Sequence, residues 1–148
     1  MLGFNHVLSG SLVAILTPPQ YVAYVPLIAF ALHFVLDTFP HYGRDDAATV
    51  GSRRFHKILV IDALLCIAFL ALALALHPDK ALLIVVGVVF STLPDFLWIF
   101  NYYLKVSHKA ARMFFAFSAK IQWGERPWAW SLDVLYAMIF LVLLVGLS

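Results

Sequence analysis

The sequence is poor in charged residues and in cysteine. Only 12% of its 148 residues are charged, against about 25% in a soluble globular domain. A soluble domain needs a charged surface and a disordered chain needs low hydrophobicity, so both classes are excluded. The single cysteine, Cys66, excludes an intramolecular disulfide framework and a metal site built from cysteines. The mean hydropathy of +0.93 indicates instead a chain whose solvent is lipid.

Long apolar runs dominate the sequence. Residues 1–36 contain no Lys, Arg, Asp or Glu. Two consecutive prolines separate the first apolar run, Gly3–Thr17, from the second, which continues past this region and covers Tyr21–Thr38. Three further runs come near the length of about 20 residues that a helix needs to cross a bilayer: Ile58–Leu76, Ala81–Leu104 and Trp128–Leu147. We therefore expect one all-α domain over residues 1–148, a polytopic membrane helix bundle with four clear spans plus a short N-terminal helix.

The basic residues predict an orientation in the bacterial plasma (inner) membrane. Nine of the 10 Lys and Arg residues lie in two loops, with Arg44, Arg53, Arg54 and Lys57 in the first and Lys105, Lys109, Arg112, Lys120 and Arg126 in the second. By the positive-inside rule both loops, and with them the N-terminus, are cytoplasmic. The second loop places apolar residues, among them Val106 and Phe117, at helical spacing. It predicts a cytoplasmic interfacial amphipathic helix that binds anionic headgroups, with a solvated basic loop as the alternative.

Ionisable residues interrupt the apolar runs, and they lie towards one end of the predicted bundle. Half of the eight acidic residues are of this kind, accompanied by two histidines: Asp37, Asp62, Asp95, Asp133, His6 and His33. Such groups are costly in lipid and usually functional. Because all of them lie in the half nearest the basic loops, they can share one pocket.

The spacing of these residues favours a metal site. His33 and Asp37 are four residues apart and share a helix face, and His41 follows Pro40 in the next turn. Mixed imidazole and carboxylate ligands suit zinc first, with manganese or iron as alternatives, better than calcium or magnesium. The predicted ligands of one or two divalent ions are His6, His33, Asp37, His41, Asp62 and Asp95. The alternatives are an ion path and a hydrogen-bonded polar core.

Three motifs carry a resemblance to known families. The strings NHVLSG, HFVLDTFPH and STLPDF together are similar to a family of small bacterial integral-membrane proteins described as metal-dependent hydrolases. The second string also resembles the His-x-x-x-Asp…His element of zinc-dependent phospholipase C and of S1/P1-type nucleases, which cleave phosphodiesters. This resemblance implies that His33 and Asp37 are metal ligands, with His41 as a third.

The resulting hypothesis is a membrane-embedded metal-dependent hydrolase that acts on a phosphate ester or lipid-like substrate at the cytoplasmic leaflet. Asp95 and Asp133 are the predicted catalytic residues. The predicted substrate-binding residues are Arg53, Arg54, Lys57, Gln122 and Arg126. The alternatives are a small transporter or channel for a metal ion or protons, and a non-catalytic membrane subunit. The expected partners are membrane lipids with anionic headgroups and no nucleic acid, and a homo-oligomer is left open.

Overall fold

The structure, a computed structural model, describes residues 1–43, 48–104 and 108–148, so Arg44, Lys105 and Val106 lie outside the described residues. Apart from one pair of two-residue strands, the regular structure of the described chain is all helical, which confirms the all-α part of the prediction. Its α-helices are α1 (Gly3–Leu16), α2 (Val25–Asp37), α3 (Arg53–Leu76), α4 (Ala81–Leu104), α5 (Lys109–Ile121) and α6 (Trp130–Gly146). Its 3₁₀ helices are Pro19–Tyr24, Pro78–Lys80 and Gln122–Gly124, and the strands are β1 (His41–Tyr42) and β2 (Glu125–Arg126).

Three helical stretches among the described residues are long and apolar enough to cross a membrane. They are Pro19–Asp37, Arg53–Leu76 and Pro78–Ile99. The last predicted span is present as α6, but with 17 residues it is shorter than these three. It is shortened at its start, where residues 127–129 form a turn that leads out of β2.

Helix α1 is the centre of the bundle, although it is one of the shortest apolar helices. Its 14 residues extend about 21 Å, and 11 of them are buried. It contacts α2, α3, α4 and α6, and its contact with α4 is the most extensive. Because α1 is surrounded by protein, it does not need the length of a lipid-facing span. This explains how a short helix without a charged residue can occupy the centre of the bundle.

Two glycines allow α1 and α4 to approach closely. A Cβ atom added to Gly87 would lie 2.3 Å from the carbonyl oxygen of Gly10, and one added to Gly10 would lie 2.6 Å from the carbonyl oxygen of Gly87. Ala14 and Ser91 follow four residues after these glycines, so each helix presents small residues on the contact face. Small residues at this spacing are typical of close helix packing in membranes.

The two loops that carry most of the basic residues meet at one end of the bundle. Strands β1 and β2 pair in parallel, with His41 opposite Glu125. Gly124 lies so close to Phe39 that an added Cβ would be 2.7 Å from the Phe39 carbonyl oxygen. We call this end, which also contains the start of α1 and the ends of α2 and α4, the loop end. At the opposite end, His77 Nε2 donates to the Leu144 carbonyl oxygen over 3.1 Å.

Candidate metal centre

His6 and His33 lie against each other in the interior of the loop end. His6 is on the first turn of α1 and His33 is on the last turns of α2. Their imidazole rings are stacked, with centroids 4.0 Å apart and an angle of 26° between the ring planes. Their exposed fractions are 0% and 2%.

The tautomer of His33 follows from its hydrogen bond to α4. Nδ1 of His33 lies 2.7 Å from the Ser91 carbonyl oxygen. Because a carbonyl oxygen can only accept, Nδ1 carries the proton, and Nε2 presents its lone pair when the ring is neutral. Nε2 lies 3.3 Å from Asp37 Oδ2 and 3.9 Å from Asp95 Oδ1. A lone pair that faces two carboxylates requires a proton or a metal cation between them.

His6 has no hydrogen bond on either ring nitrogen within the described part of the chain. Its Nε2 atom lies 3.3 Å from Asp37 Oδ1 and 4.0 Å from Asp95 Oδ2. The backbone around it is held, since the hydroxyls of Ser9 and Ser91 both donate to the His6 carbonyl oxygen. A fully buried imidazole without a hydrogen bond is unusual and indicates a ligand that protein atoms do not supply.

Two carboxylates lie near the Nε2 atoms of the stacked rings. Asp37 is buried, and it also accepts from the Met1 nitrogen at 2.6 Å and from Gln122 Nε2 at 3.1 Å. The side chain of Asp95 is 36% exposed, so Asp95 is the less buried of the two carboxylates. Helix α4 continues through Pro94 and carries Asp95 on the same face as Ser91, four residues earlier.

The cluster is a candidate metal site. One ligand atom from each of His6, His33 and Asp95 lies within 4.8 Å of the other two. Bonds of about 2.0–2.1 Å to a tetrahedral ion place ligand atoms roughly 3.3–3.5 Å apart, which is close to the distances from Asp37 to the two histidines. The hydrogen bond from His33 Nδ1 to a carbonyl is also typical of metal-bound histidine. The residues therefore fit zinc, manganese or iron.

Asp62 is placed at the start of α1 instead of in this cluster. Its Oδ2 and Oδ1 atoms accept from the backbone nitrogens of Gly3 and Phe4 at 2.9 and 3.0 Å. A carboxylate at this position satisfies two free amides of the first helical turn and interacts favourably with the helix dipole. The structure thus gives this predicted ligand a different set of partners.

Asp133 is also engaged with backbone and amide groups. Its Oδ1 atom accepts from the Leu2 nitrogen at 3.3 Å and from Asn5 Nδ2 at 3.0 Å, and its Oδ2 atom accepts from the Tyr42 nitrogen at 2.7 Å. It is 0% exposed. These contacts join α6, the start of α1 and β1. The carboxylate of Asp133, a predicted catalytic residue, is therefore fully buried.

His41 lies beside the cluster on β1 and is not among the residues whose ligand atoms meet in the described chain. Nδ1 donates to the Phe39 carbonyl oxygen at 2.8 Å, and Nε2 lies 3.9 Å from Glu125 Oε1. The side chain is buried, and burial lowers the pKa of His41 below its ordinary value.

The predicted substrate-binding residues divide into two groups. Gln122 reaches the cluster through its hydrogen bond to Asp37. The basic residues lie at the surface of the loop end. Arg53, Arg54 and Lys57 are exposed at the start of α3, and Arg126 donates to the carbonyl oxygens of Trp123 and Glu125 in its own loop.

Sequence reasoning missed Ser91, which contacts His33 through its carbonyl oxygen and the His6 carbonyl oxygen through its hydroxyl. Ser91 was detectable, because it lies four residues before Asp95 in the string STLPDF and shares its helix face. The contact of Asn5 with Asp133 joins residues 128 positions apart, and no local pattern indicates it. No protein-family model, curated protein or solved structure matches this chain. The family resemblances of its motifs therefore stay predictions.

Proposed function

We propose that this protein is an integral membrane metal-dependent hydrolase whose centre is formed by His6, His33 and Asp95, with Asp37 between the two histidines. The observation that carries the proposal is the His6 ring, which is 0% exposed and has no hydrogen bond on either nitrogen in the described chain while facing two carboxylates. Most buried polar side-chain atoms in proteins have a hydrogen-bond partner, so this ring supports a ligand that the described protein atoms do not supply.

The proposed arrangement in the membrane has four spans around α1. Helices α2, α3, α4 and α6 cross or nearly cross the bilayer, and the loop end faces the cytoplasm in a bacterial plasma membrane. Helix α5 lies in the cytoplasmic interface. Two observations support this position for α5: Phe34 of α2 packs on Phe114 and Phe117, with ring centroids 6.0 and 5.5 Å apart, and the basic side chains of Lys109 and Lys120 are exposed.

The chain's own residues supply positioning and proton transfer. A bound zinc, manganese or iron ion supplies Lewis acid chemistry, which polarises a phosphoryl oxygen and activates a water molecule. His33 is held by the Ser91 carbonyl, so its Nε2 lone pair points into the centre. Asp95 is the less buried of the two carboxylates, and its oxygen that does not hold the ion would accept a proton from water. Gln122 keeps Asp37 in place by its hydrogen bond.

The proposed substrate is a phosphate ester carried by a lipid at the cytoplasmic leaflet. Exposed cations near the site attract an anionic headgroup, and those at the start of α3 are Arg53, Arg54 and Lys57. This choice of substrate follows from the place of the site at one end of an apolar bundle, where lipid headgroups are the abundant phosphate esters.

The test is elemental analysis of the detergent-purified protein, wild type beside His33→Ala and Asp95→Asn. His56→Ala is the matched control, because His56 is exposed on α3 and its Nδ1 donates to the nearby Ser52 carbonyl oxygen. We expect close to one transition metal ion per chain in the wild type and the control. Metal affinity should fall about tenfold or more in the two site variants, because even the loss of a residue that only contacts a metal ligand typically lowers metal affinity by that factor. Equal metal content in all four proteins contradicts the proposal.

Hydrolysis is measured on the same preparations with bis(p-nitrophenyl) phosphate and with a short-chain phosphatidic acid. Release of product should stop after chelation and return when zinc or manganese is added. Metal bound without hydrolysis of any phosphate ester, together with ion flux in liposomes, would favour the transporter. A protein without metal and without flux would favour the non-catalytic subunit.

The transporter is the weaker candidate because the described residues do not continue the ionisable groups of the loop end to the far end of the bundle. There the polar side chains are used in contacts with backbone carbonyls: Lys80 Nζ donates to Ile15 and His77 Nε2 to Leu144. Between the two ends, Ser11 and Thr92 also donate to carbonyls of their own helices. Among the described residues these contacts form no continuous ionisable path through the bundle.

A further inference from the structure

An apolar groove runs along α1 on the side where α2 and α6 flank it. Its volume is about 490 Å³, within the range of small-molecule sites of about 300–1,000 Å³. The floor is one face of α1, and the walls include Ile28 and Leu32 of α2 and Phe140 of α6. Several wall residues are open to the surroundings; Ile28 is 43% exposed and Tyr24 is 56% exposed.

The groove ends next to the metal centre. Its floor residues Ser9, Leu12, Val13 and Leu16 occupy one helix face, and the same face continues to His6, one turn before Ser9. On the opposite wall Leu32 directly precedes His33. The distance from the inner end of the groove to the centre is therefore about one helical turn, or roughly 5 Å.

We propose that this groove holds the hydrocarbon chain of the lipid phosphate ester whose head lies at the centre. This inference rests on the proposed function and specifies its substrate class as a long-chain amphiphile. The occupant is lipid because the groove opens sideways between two apolar helices and its lining is almost wholly apolar. A chain that starts at the loop end and runs towards Leu16 also has the direction of a lipid in the cytoplasmic leaflet.

The test uses photo-crosslinking in phosphatidylcholine nanodiscs, with the metal-loaded full chain. The probe is an alkyl phosphate of about 12 carbons with a diazirine in the middle of its chain, and the cross-linked peptides are identified by mass spectrometry. We expect labelling of residues 9–17 and 28–32, and competition by unlabelled dodecyl phosphate.

Ile28→Trp should fill the groove and Leu27→Trp is its matched control. Leu27 is 65% exposed on the same helix and does not line the groove. We expect about tenfold weaker competition in Ile28→Trp, because two methylene groups excluded from an apolar site change affinity by about that factor. The control should match the wild type. If Ile28→Trp does not fold, Leu16→Trp at the far end of the groove replaces it. This variant should weaken competition by a 12-carbon alkyl phosphate more than competition by a 6-carbon one.

Labelling that is spread evenly over lipid-facing positions such as Leu64 and Val142, and that dodecyl phosphate does not reduce, overturns the proposal that the groove binds a hydrocarbon chain. A repeat with chelator separates this inference from the proposed function. Groove labelling that persists in a protein without metal or hydrolysis means that the function fails and the groove stands. Metal binding and hydrolysis without groove labelling mean the reverse.

Discussion

The four aspartates in the apolar runs have two different kinds of partner, although the sequence presents them alike. Asp37 and Asp95 face histidine nitrogens, whereas Asp62 and Asp133 accept from amides near the start of α1. Each of the four backbone nitrogens of residues 1–4 has a carboxylate oxygen within 3.3 Å. The first turn of α1 is thus held by three different helices, which places His6 in the centre.

The two roles predict opposite effects of a conservative change from aspartate to asparagine. Asp62→Asn loses a charged acceptor at a helix N-terminus, so we expect a loss of about 1–2 kcal/mol of stability with the metal retained. Asp95→Asn should remove most of the metal and change stability less. Thermal unfolding in detergent and elemental analysis measure both. Loss of metal in Asp62→Asn with an unchanged unfolding temperature would place Asp62 among the ligands.

His41 predicts a pH dependence of stability. Burial lowers its pKa in the folded protein, while the unfolded chain keeps a pKa of about 6.5. Below about pH 6.5 the unfolded chain therefore binds more protons, and stability falls as the pH decreases. His41→Asn keeps a donor for the Phe39 carbonyl and cannot titrate. Its unfolding temperature should decrease less than that of the wild type between pH 7 and pH 5, and an equal decrease would contradict this assignment.

At the scale of the helices, α1 and α4 can approach closely because Gly10 and Gly87 have no side chains. Gly10 and Gly87 bring the two backbones together, and Ser91 then reaches the His6 carbonyl oxygen at 2.7 Å and His33 through its own carbonyl. The same close packing therefore positions both histidines of the centre.

Gly87→Ala should destabilise the protein. Its Cβ would lie 2.3 Å from the Gly10 carbonyl oxygen, which cannot move without shifting α1, so we expect a loss of about 1–3 kcal/mol. Gly146→Ala is the matched control, because nothing lies within 4 Å of an added Cβ there. In the control the helix propensity of alanine should leave stability equal or slightly higher. Thermal unfolding of both variants in detergent decides, and equal unfolding temperatures would argue against the close contact.

For the molecule as a whole, the two ends differ in charge and in chemistry. The loop end contains the paired strands, the exposed cations and the candidate metal centre, and the far end contains the turn at Pro78–Lys80. Under the proposed orientation, cysteines introduced at the two ends are on opposite sides of the membrane.

Labelling with a membrane-impermeant maleimide tests this orientation in a Cys66→Ala background. Lys120 and Asp79 are both exposed and lie at the loop end and the far end. Lys120→Cys should be labelled only after the cells are opened, whereas Asp79→Cys should be labelled in intact spheroplasts, because basic loops remain in the cytoplasm. The reverse labelling pattern would show the opposite orientation, with the candidate metal centre at the outer leaflet.

The helices and the gathering of polar residues at one end followed from the sequence, because hydropathy, proline and charge act locally. The predicted runs agree with α1 and α4 to within one residue at both ends, and with α3 at its end, although α3 begins five residues earlier, at Arg53. The i, i+4 spacing of His33 and Asp37 likewise predicted their contact at 3.3 Å. His6 and Asp95 were predicted to join them from their depth in the apolar runs, and they do so.

The central place of α1 and the separate roles of the four aspartates depended on packing between distant segments. A buried carboxylate can be stabilised by a metal ion or by backbone amides, and the sequence around Asp62 does not distinguish these partners. The choice is made by residues 58 to 131 positions away in the chain, such as Phe4 for Asp62 and Leu2 for Asp133. Composition and spacing specify which groups must be neutralised, and the tertiary contacts specify what neutralises them.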